Sequence, residues 1–308
     1  MTRTGALEPV PSGCRERILA HYGTDAETWL QAVPQFLAAA AARWGVALSG
    51  YHDAGHASVI ARGSTCDGAD VLLKAWFDER YIRETTALRL WQSGPVTSLI
   101  GCADDLQIAM MGIVGERPGG QPRPPQDAPA VAAAIAELHT VTLDQASRNL
   151  PLLSDYRDID ILPRVRRRTA IFADRVPSDC VHAGTAACDR LPEIGGPPVL
   201  LHADLYRENV LWDSDGQPVV IDPLPMIGDA AFDWAFWTVY YDLADGQDER
   251  LRLADLHGTA TREAILTWSA ALALDGLLFY LEARDQRVAR MIEVLRGFER
   301  CRLAAVPP

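Results

Sequence analysis

The chain has 308 residues, of which 48% are hydrophobic and 23% charged, enough to bury the core of a protein with two lobes or domains. Its formal net charge of −12 argues against sequence-independent binding of nucleic acid, because such binding needs cationic side chains to displace counterions from phosphates. We find no apolar run of membrane-spanning length and no basic-then-apolar leader. The sequence therefore predicts a cytoplasmic protein, with no membrane contact and no protein partner indicated.

The six cysteines are scattered, without a CxxC pair or neighbouring histidines at metal-binding spacing. This arrangement predicts reduced thiols and indicates neither a zinc site nor a disulfide framework.

The first 48 residues are predicted to form a helical segment, because Trp29, Leu30, Val33 and Leu37 recur at helical spacing. Residues 49–115 change to short β-like runs at 57–62, 69–76 and 106–111, interrupted by a helical pattern at 83–91. We therefore expect a small mixed β/α N-lobe that contains the nucleotide-binding sheet.

Glycine and proline crowd the segment 115–125, which predicts a linker. Residues 116–308 are then expected to form a larger, mainly helical C-lobe. Its predicted helices include 131–139, an almost uniformly apolar and hence buried helix at 263–281, and an amphipathic helix at 288–303. The arginines at 164 and 166–168 are interpreted as a solvated helix face. The fold class is α+β with two lobes.

Lys74 is the only lysine among 29 basic residues; the other 28 are arginine. One interpretation is that this position needs a compact ammonium that a planar guanidinium cannot imitate. The other is that a single lysine survived a general preference for arginine. The surrounding sequence, VLLKAW, lacks the GxxxxGK[ST] pattern and so excludes a P-loop.

The segment from 199 to 222 reads VLLHADLYRENVLW, then DSDGQ, then PVVID. Two apolar runs flank Asp215-Gly216, which predicts a β-hairpin. Such a hairpin places Asn209 and Asp222 side by side at one end of the ribbon, where one magnesium ion could bridge them.

Phosphoryl transfer needs a metal ion, a group that orients or deprotonates the attacking hydroxyl, and a cation on the nucleotide phosphates. Asp204 is the candidate base, five residues before the metal-ligand candidate Asn209. Lys74 is the candidate for the α/β-phosphates, with Glu84 as its ion-pair partner and Glu79 as the alternative. His202 is expected to brace the loop by hydrogen bonding.

The features HADLYRENVLW, IDPLPMIGD and FDWA, with Lys74, Leu138-His139 and Arg43-Trp44, resemble the kinase-like aminoglycoside phosphotransferase superfamily. More narrowly, they are similar to the streptomycin 6-phosphotransferase and hydroxyurea kinase family. The resemblance implies a bilobal, protein-kinase-like fold and an enzyme that uses ATP and Mg²⁺.

By this resemblance Asp204 is the catalytic base, and Asn209 and Asp222 bind magnesium. The backbone of Met111, Gly112 and Val114 receives the adenine. The nucleotide-covering loop is the segment from Gly55 through His56 and Ala57 to Ser58, which lacks the several glycines of a protein-kinase loop.

Seven acidic residues and no lysine or arginine lie between 222 and 249, interleaved with aromatic residues. This composition suits a cationic, hydroxyl-bearing small molecule such as a guanidinium-bearing aminocyclitol. Asp229, Asp233 and Trp237 are the substrate candidates. Alternatively, the aromatic residues are core, and Asp229 or Asp233 braces the catalytic loop.

Three functions follow from these patterns. The first is a kinase that phosphorylates a streptomycin hydroxyl, and the second is a kinase of the same fold acting on hydroxyurea or another small alcohol. The third, a nucleotide-binding pseudokinase, is the weakest because every catalytic residue type is present. A protein kinase is disfavoured because no APE-type segment follows Asp222.

Overall fold

The computed structural model describes residues 7–52, 55, 57–193 and 195–304. Within them the chain forms two compact units. The first contains the described residues up to Pro122 together with Trp212–Val219, and the second contains Arg123–Leu211 and the described residues from Val220 onward.

The first unit is built on a five-stranded antiparallel sheet of order β1-β2-β3-β5-β4. The strands are β1 Ala47–His52, β2 Ser58–Ser64, β3 Asp70–Trp76, β4 Leu99–Ala103 and β5 Ile108–Gly112. Three helices accompany the sheet: α1 Ser12–Tyr22, α2 Glu27–Trp44 and α3 Arg80–Leu90. Helix α2 ends at Gly45, whose φ of 65° is the left-handed conformation that glycine adopts readily at a helix end.

The two faces of β3 have different neighbours, since side chains alternate along a strand. Val71, Leu73 and Ala75 belong to the core that includes α1 and α2. Trp76 belongs to a second cluster, with Tyr81 and other residues of α3. Lys74 lies two residues before Trp76 in β3 and therefore shares its face, toward α3.

The second unit is mainly helical. Its helices are α4 Ala128–Leu138, α5 Leu153–Tyr156, α6 Leu162–Phe172, α7 Ser178–Arg190, α8 Ala231–Tyr240, α9 Gln247–His257, α10 Arg262–Glu282 and α11 Val288–Ala304. A short antiparallel sheet pairs β6 Pro198–Leu201 with β9 Met226–Asp229. The predicted hairpin is present, as β7 Val210–Trp212 and β8 Pro218–Val220 around Gly216; its two ends belong to the second unit and Trp212–Val219 to the first.

Helix α10 lies at the centre of this unit, in contact with α6, α7, α8 and α11. The Thr261 side chain accepts a hydrogen bond from Ala264 N and so caps its first turn. By length and composition α10 could cross a membrane, contrary to the expectation that no apolar run reaches that length, but 89% of its most apolar 18-residue stretch is buried inside the protein. This burial confirms the core helix predicted from its uniformly apolar sequence.

The interpretation of the 164–168 arginines as a solvated face is wrong for two of them. Arg164 Nη2 donates to Asp275 Oδ2 at 2.6 Å, and Arg168 Nη1 donates to Asp275 Oδ1 at 3.1 Å. Arg168 also donates to Glu282 at 2.8 Å and is buried. The spacing of four residues places both arginines on one face of α6, where they bind carboxylates of α10.

Candidate active site

The catalytic loop, defined here as residues 202–209, begins where β6 ends. His202 is its buried first residue, and its imidazole ring makes two hydrogen bonds in the loop region. Its Nε2 donates to the Ile221 carbonyl at 3.0 Å, and its Nδ1 accepts from Asp204 N at 3.3 Å. Both bonds require the neutral ring with its proton on Nε2. Burial lowers the pKa of His202 to about 4, which favours the same neutral form. These contacts are those expected of a residue that braces the loop by hydrogen bonding.

Two residues of this region adopt the left-handed backbone conformation without being glycine. Ala203 has φ of 61° and Asp222 has φ of 55°. This conformation costs on the order of 1–3 kcal/mol and persists only where surrounding contacts impose it. Both strained residues lie at positions singled out by the sequence, one beside the candidate base and the other at the candidate metal ligand.

Asp233 supplies the contacts that hold the strained loop. Its carboxylate accepts hydrogen bonds from Ala203 N at 2.8 Å and His202 N at 2.9 Å. A third hydrogen bond comes from Nε2 of His139, at the end of α4, at 3.0 Å. The Asp233 side chain is 0% exposed, so its assignment as a substrate contact is corrected. The alternative predicted role, bracing the catalytic loop, matches these contacts.

Asn209 orients Asp204. The Asn209 amide Nδ2 donates to Asp204 Oδ2 at 2.8 Å and to the Asp204 carbonyl at 2.8 Å. The backbone carbonyl of Asn209 accepts from Ile221 N at 2.9 Å, at the base of the hairpin. Asp222 follows Ile221 directly. The hairpin therefore ties the loop that carries Asp204 and Asn209 to the strand end that carries Asp222.

The donor set fits a hard divalent cation. Because the Nδ2 of Asn209 donates to Asp204, its side-chain carbonyl oxygen would be the atom that binds a metal, and Asp222 would contribute a carboxylate. Magnesium prefers such oxygen ligands. No group of three or more His, Cys, Asp or Glu side chains suited to metal occurs among the described residues. Two protein ligands are typical of magnesium that completes its coordination with nucleotide phosphates and water.

Lys74 and Glu84 form a buried ion pair in the first unit, each with a residue exposure of 4%. Lys74 Nζ donates to the Glu84 carboxylate oxygens at 2.7 and 2.9 Å. Trp76 Nε1 donates to Glu84 at 3.0 Å, and the Lys74 ammonium lies 4.9 Å from the Trp76 ring centroid. The alternative partner, Glu79, instead pairs with Arg83 on the surface. A buried pair is stable only with such additional hydrogen bonds.

The remaining nucleotide candidates also lie in the first unit. Ser58 is buried at the start of β2; His56 of the predicted loop lies outside the described residues. Met111 and Gly112 end β5, and Val114 follows it. Gly112 N donates to Ser98 O at 2.9 Å, and a Cβ on Gly112 would meet Ser98 Oγ at 2.4 Å. A side chain at this position would therefore displace the Ser98 hydroxyl.

Most aromatic residues of the 222–249 segment are buried in the core, as the alternative interpretation of this segment expects. Trp237 is 0% exposed within α8, so its assignment as a substrate contact is corrected as well. Asp229 accepts from Ala231 N at 2.8 Å at the start of α8, and Asp242 pairs with Arg207 at 3.4 Å. The mixture of acidic and aromatic residues in this segment arises because the buried helix α8 carries the aromatic residues, and the acidic residues Asp229 and Asp242 lie just beyond its two ends. Tyr206, in contrast, is 38% exposed two residues after Asp204.

Comparison with known proteins identifies the family to which the chain belongs. Residues 93–271, more than half of the chain, match the phosphotransferase enzyme family, and the chain belongs to that family. It is an enzyme, a small-molecule kinase of this family. The predicted family, fold class and enzyme type are thereby confirmed.

Two curated relatives are similar along most of their length. A hydroxyurea phosphotransferase of Kitasatospora aureofaciens is 26% identical, over 96% of this chain and 88% of the relative. A streptomycin 6-kinase of Streptomyces glaucescens is also 26% identical, over 96% of this chain and 99% of the relative. A spectinomycin phosphotransferase solved with ADP and spectinomycin shares the fold, with a TM-score of 0.57 and 13% identity over 85% of this chain and 93% of that one.

Proposed function

We propose that this enzyme transfers the γ-phosphoryl group of ATP, with magnesium, to a hydroxyl of a small molecule, and that streptomycin or a related aminoglycoside is the acceptor. The observation that carries the proposal is the Asp204–Asn209 hydrogen bond at 2.8 Å. It joins a candidate base to a candidate metal ligand, so that one loop would fix the attacking hydroxyl relative to the metal.

In this proposal Asp204 accepts the proton of the acceptor hydroxyl as that oxygen attacks the γ-phosphorus, and ADP leaves. Asn209 and Asp222 would hold Mg²⁺, which when bound neutralises charge on the phosphate oxygens. Lys74 would bind the α/β-phosphates, with its ammonium oriented by Glu84. The backbone of Met111, Gly112 and Val114, together with Ser58, would contact the nucleotide.

His202 would take no part in proton transfer. Its Nε2 proton is engaged by the Ile221 carbonyl, and its depressed pKa keeps the ring neutral at neutral pH. The ring and the buried Asp233 carboxylate would instead keep the strained loop in place. Preorganisation of this kind matters because a misplacement of about 1 Å can cost about 100-fold in rate.

Support for a cationic acceptor comes from three features. The net charge of −12 attracts cations over long distances. Tyr206, two residues after Asp204, is 38% exposed although its ring packs on Phe236 and Tyr240, and it would offer aromatic surface to a guanidinium or ammonium. Two streptomycin 6-kinases are among the relatives, both at 26% identity.

Hydroxyurea is the second candidate acceptor, favoured by the similarity to the hydroxyurea phosphotransferase along 96% of the chain. The two candidates differ in size and charge. A neutral acceptor as small as hydroxyurea can cover little of the Tyr206 ring, whereas a cationic aminocyclitol can stack on it.

The test is ADP release from ATP and Mg²⁺, measured against streptomycin, hydroxyurea, other aminoglycosides, simple sugars and amino alcohols. Stimulation by streptomycin with formation of a phosphorylated product supports the first candidate, and stimulation by hydroxyurea alone supports the second. A matched Tyr206→Ala variant should raise the KM for a cationic acceptor and leave that for ATP unchanged. Absence of stimulation by every acceptor would contradict both candidates.

A further inference from the structure

Arg123 is the first residue of the second unit, and its guanidinium contacts the backbone at the end of the catalytic loop. Nη2 donates to the carbonyl of Arg207 at 2.6 Å and lies 3.4 Å from the carbonyl of Val210. The Arg123 side chain is 19% exposed, so most of it is shielded from competing water.

These two carbonyls lie on either side of the candidate metal ligand. Arg207–Asn209 forms a single 3-10 turn that leads into β7. The carbonyl of Arg207 already accepts a hydrogen bond from Val210 N, and its second lone pair can accept from the Arg123 guanidinium, which has several N–H donors. Ile221 N holds the carbonyl of Asn209 itself at 2.9 Å. The backbone is thus held before, at and after Asn209.

Two further residues hold Arg123 in this position. Nη1 donates to Asp127 Oδ2 at 3.0 Å and also contacts the Tyr241 hydroxyl. That hydroxyl donates to the same Asp127 oxygen at 2.7 Å, and the Tyr241 ring centroid lies 5.0 Å from the guanidinium carbon. The planar fork of arginine makes all these contacts at once, which a lysine ammonium cannot do.

The positive charge of Arg123 does not by itself explain why an arginine lies close to a candidate metal ligand. A lone guanidinium near a metal site would repel a cation, but the adjacent Asp127 carboxylate offsets that charge. What Arg123 contributes is therefore the position of the 207–210 backbone, and with it the direction of the Asn209 side chain. That side chain also donates to Asp204 at 2.8 Å.

We propose that Arg123 is a positioning residue for metal binding. By donating hydrogen bonds to the carbonyls of Arg207 and Val210, it would fix the backbone on both sides of Asn209. This inference rests on the proposed function, since it takes Asn209 as a magnesium ligand. Residues that orient metal ligands from outside the coordination sphere typically change metal affinity about 10- to 100-fold when mutated.

The experiment measures metal binding rather than turnover. Mn²⁺, a spectroscopic stand-in for Mg²⁺, is titrated in the presence of ADP and followed by electron paramagnetic resonance. The ADP affinity with and without Mg²⁺ is measured by calorimetry. The variants are Arg123→Met and Arg123→Lys, and the matched control is Arg252→Met, which removes an exposed arginine of α9.

Both Arg123 variants should bind Mn²⁺ about 10-fold more weakly than the wild type, with unchanged affinity for ADP in the absence of metal. Arg252→Met should behave as the wild type. If Arg123→Met does not fold, Arg123→Lys carries the test, because it keeps the charge and most of the volume.

The outcomes separate this inference from the proposed function. Wild-type metal affinity in both Arg123 variants overturns the positioning role. Wild-type metal affinity in Arg123→Lys alone also overturns it, because a positive charge at position 123 would then be enough for normal metal binding. An equal loss in Arg252→Met overturns it too. A wild-type protein whose ADP binding shows no dependence on Mg²⁺ overturns the proposed metal site and this inference with it.

Discussion

Replacing Asp233 with asparagine tests how the strained catalytic loop is held. The substitution keeps the shape but converts one acceptor oxygen into an NH₂ group. The least costly orientation of the asparagine points this NH₂ group at Ala203 N. In the wild type, the carboxylate accepts a hydrogen bond of 2.8 Å from this N–H. One buried N–H then loses its partner, at a cost of about 1–3 kcal/mol.

The other two hydrogen bonds, from His202 N and His139 Nε2, lose a charged acceptor, which weakens each by about 1 kcal/mol. Burial of a neutral amide costs less than burial of a carboxylate and offsets part of the sum. We expect a net destabilisation of about 2–3 kcal/mol, equivalent to a fall in Tm of about 3–5 °C for a chain of this length. Displacement of the loop should also lower kcat about 100-fold.

The assay combines thermal unfolding with ADP release, and Asp229→Asn is the control. Asp229 accepts one hydrogen bond, from Ala231 N at 2.8 Å, and asparagine is an equally good acceptor at a helix start. The control should therefore stay within about 0.5 kcal/mol of the wild type. An Asp233→Asn variant with wild-type Tm and kcat would refute the bracing role.

Three further predictions concern other parts of the chain. Lys74→Arg should lower kcat/KM for ATP at least about 10-fold, because Lys74 is buried against Glu84 and Trp76, and a planar guanidinium cannot reproduce the contacts of its compact ammonium; wild-type rates would show that the lone lysine is incidental. Asp275→Asn should destabilise the protein by about 3 kcal/mol in urea unfolding, because the buried Arg168 loses a partner, whereas the exposed Arg167→Gln should have almost no effect. Folding lowers the pKa of His202 from 6.5 to about 4, so the folded protein is most stable when this ring is neutral. This contribution to stability is complete above about pH 6.5 and is lost as the pH falls toward 4. The loss, about 3 kcal/mol, should be absent in His202→Asn.

The features predicted correctly were those with a strong local pattern. Asp215-Gly216 between two apolar runs marked the hairpin, and the uniformly apolar stretch at 263–281 marked the buried helix α10. The Lys74–Glu84 pair followed from a lysine on a strand and a glutamate on the next helix. Each of these signals lies within about 20 residues of sequence.

The errors concerned tertiary contacts between distant segments. Asp233 lies 30 residues from Ala203, and Arg168 lies 107 residues from Asp275. No periodicity in either segment reveals that a carboxylate turns inward to meet backbone N–H groups or a guanidinium. The short strands β1 and β4 were missed because their sequences alternate weakly. Arg123 carried no signal beyond its place in a Gly- and Pro-rich segment.

Asp204→Asn tests the central claim most directly. Phosphoryl transfer from γ-labelled ATP to the acceptor is measured for the wild type and for this variant, with and without Mg²⁺, beside nucleotide binding by calorimetry. The account predicts Mg²⁺-dependent formation of a phosphorylated product by the wild type, a loss of at least about 1,000-fold in the variant, and nearly unchanged ADP affinity. Substantial transfer by Asp204→Asn would contradict it.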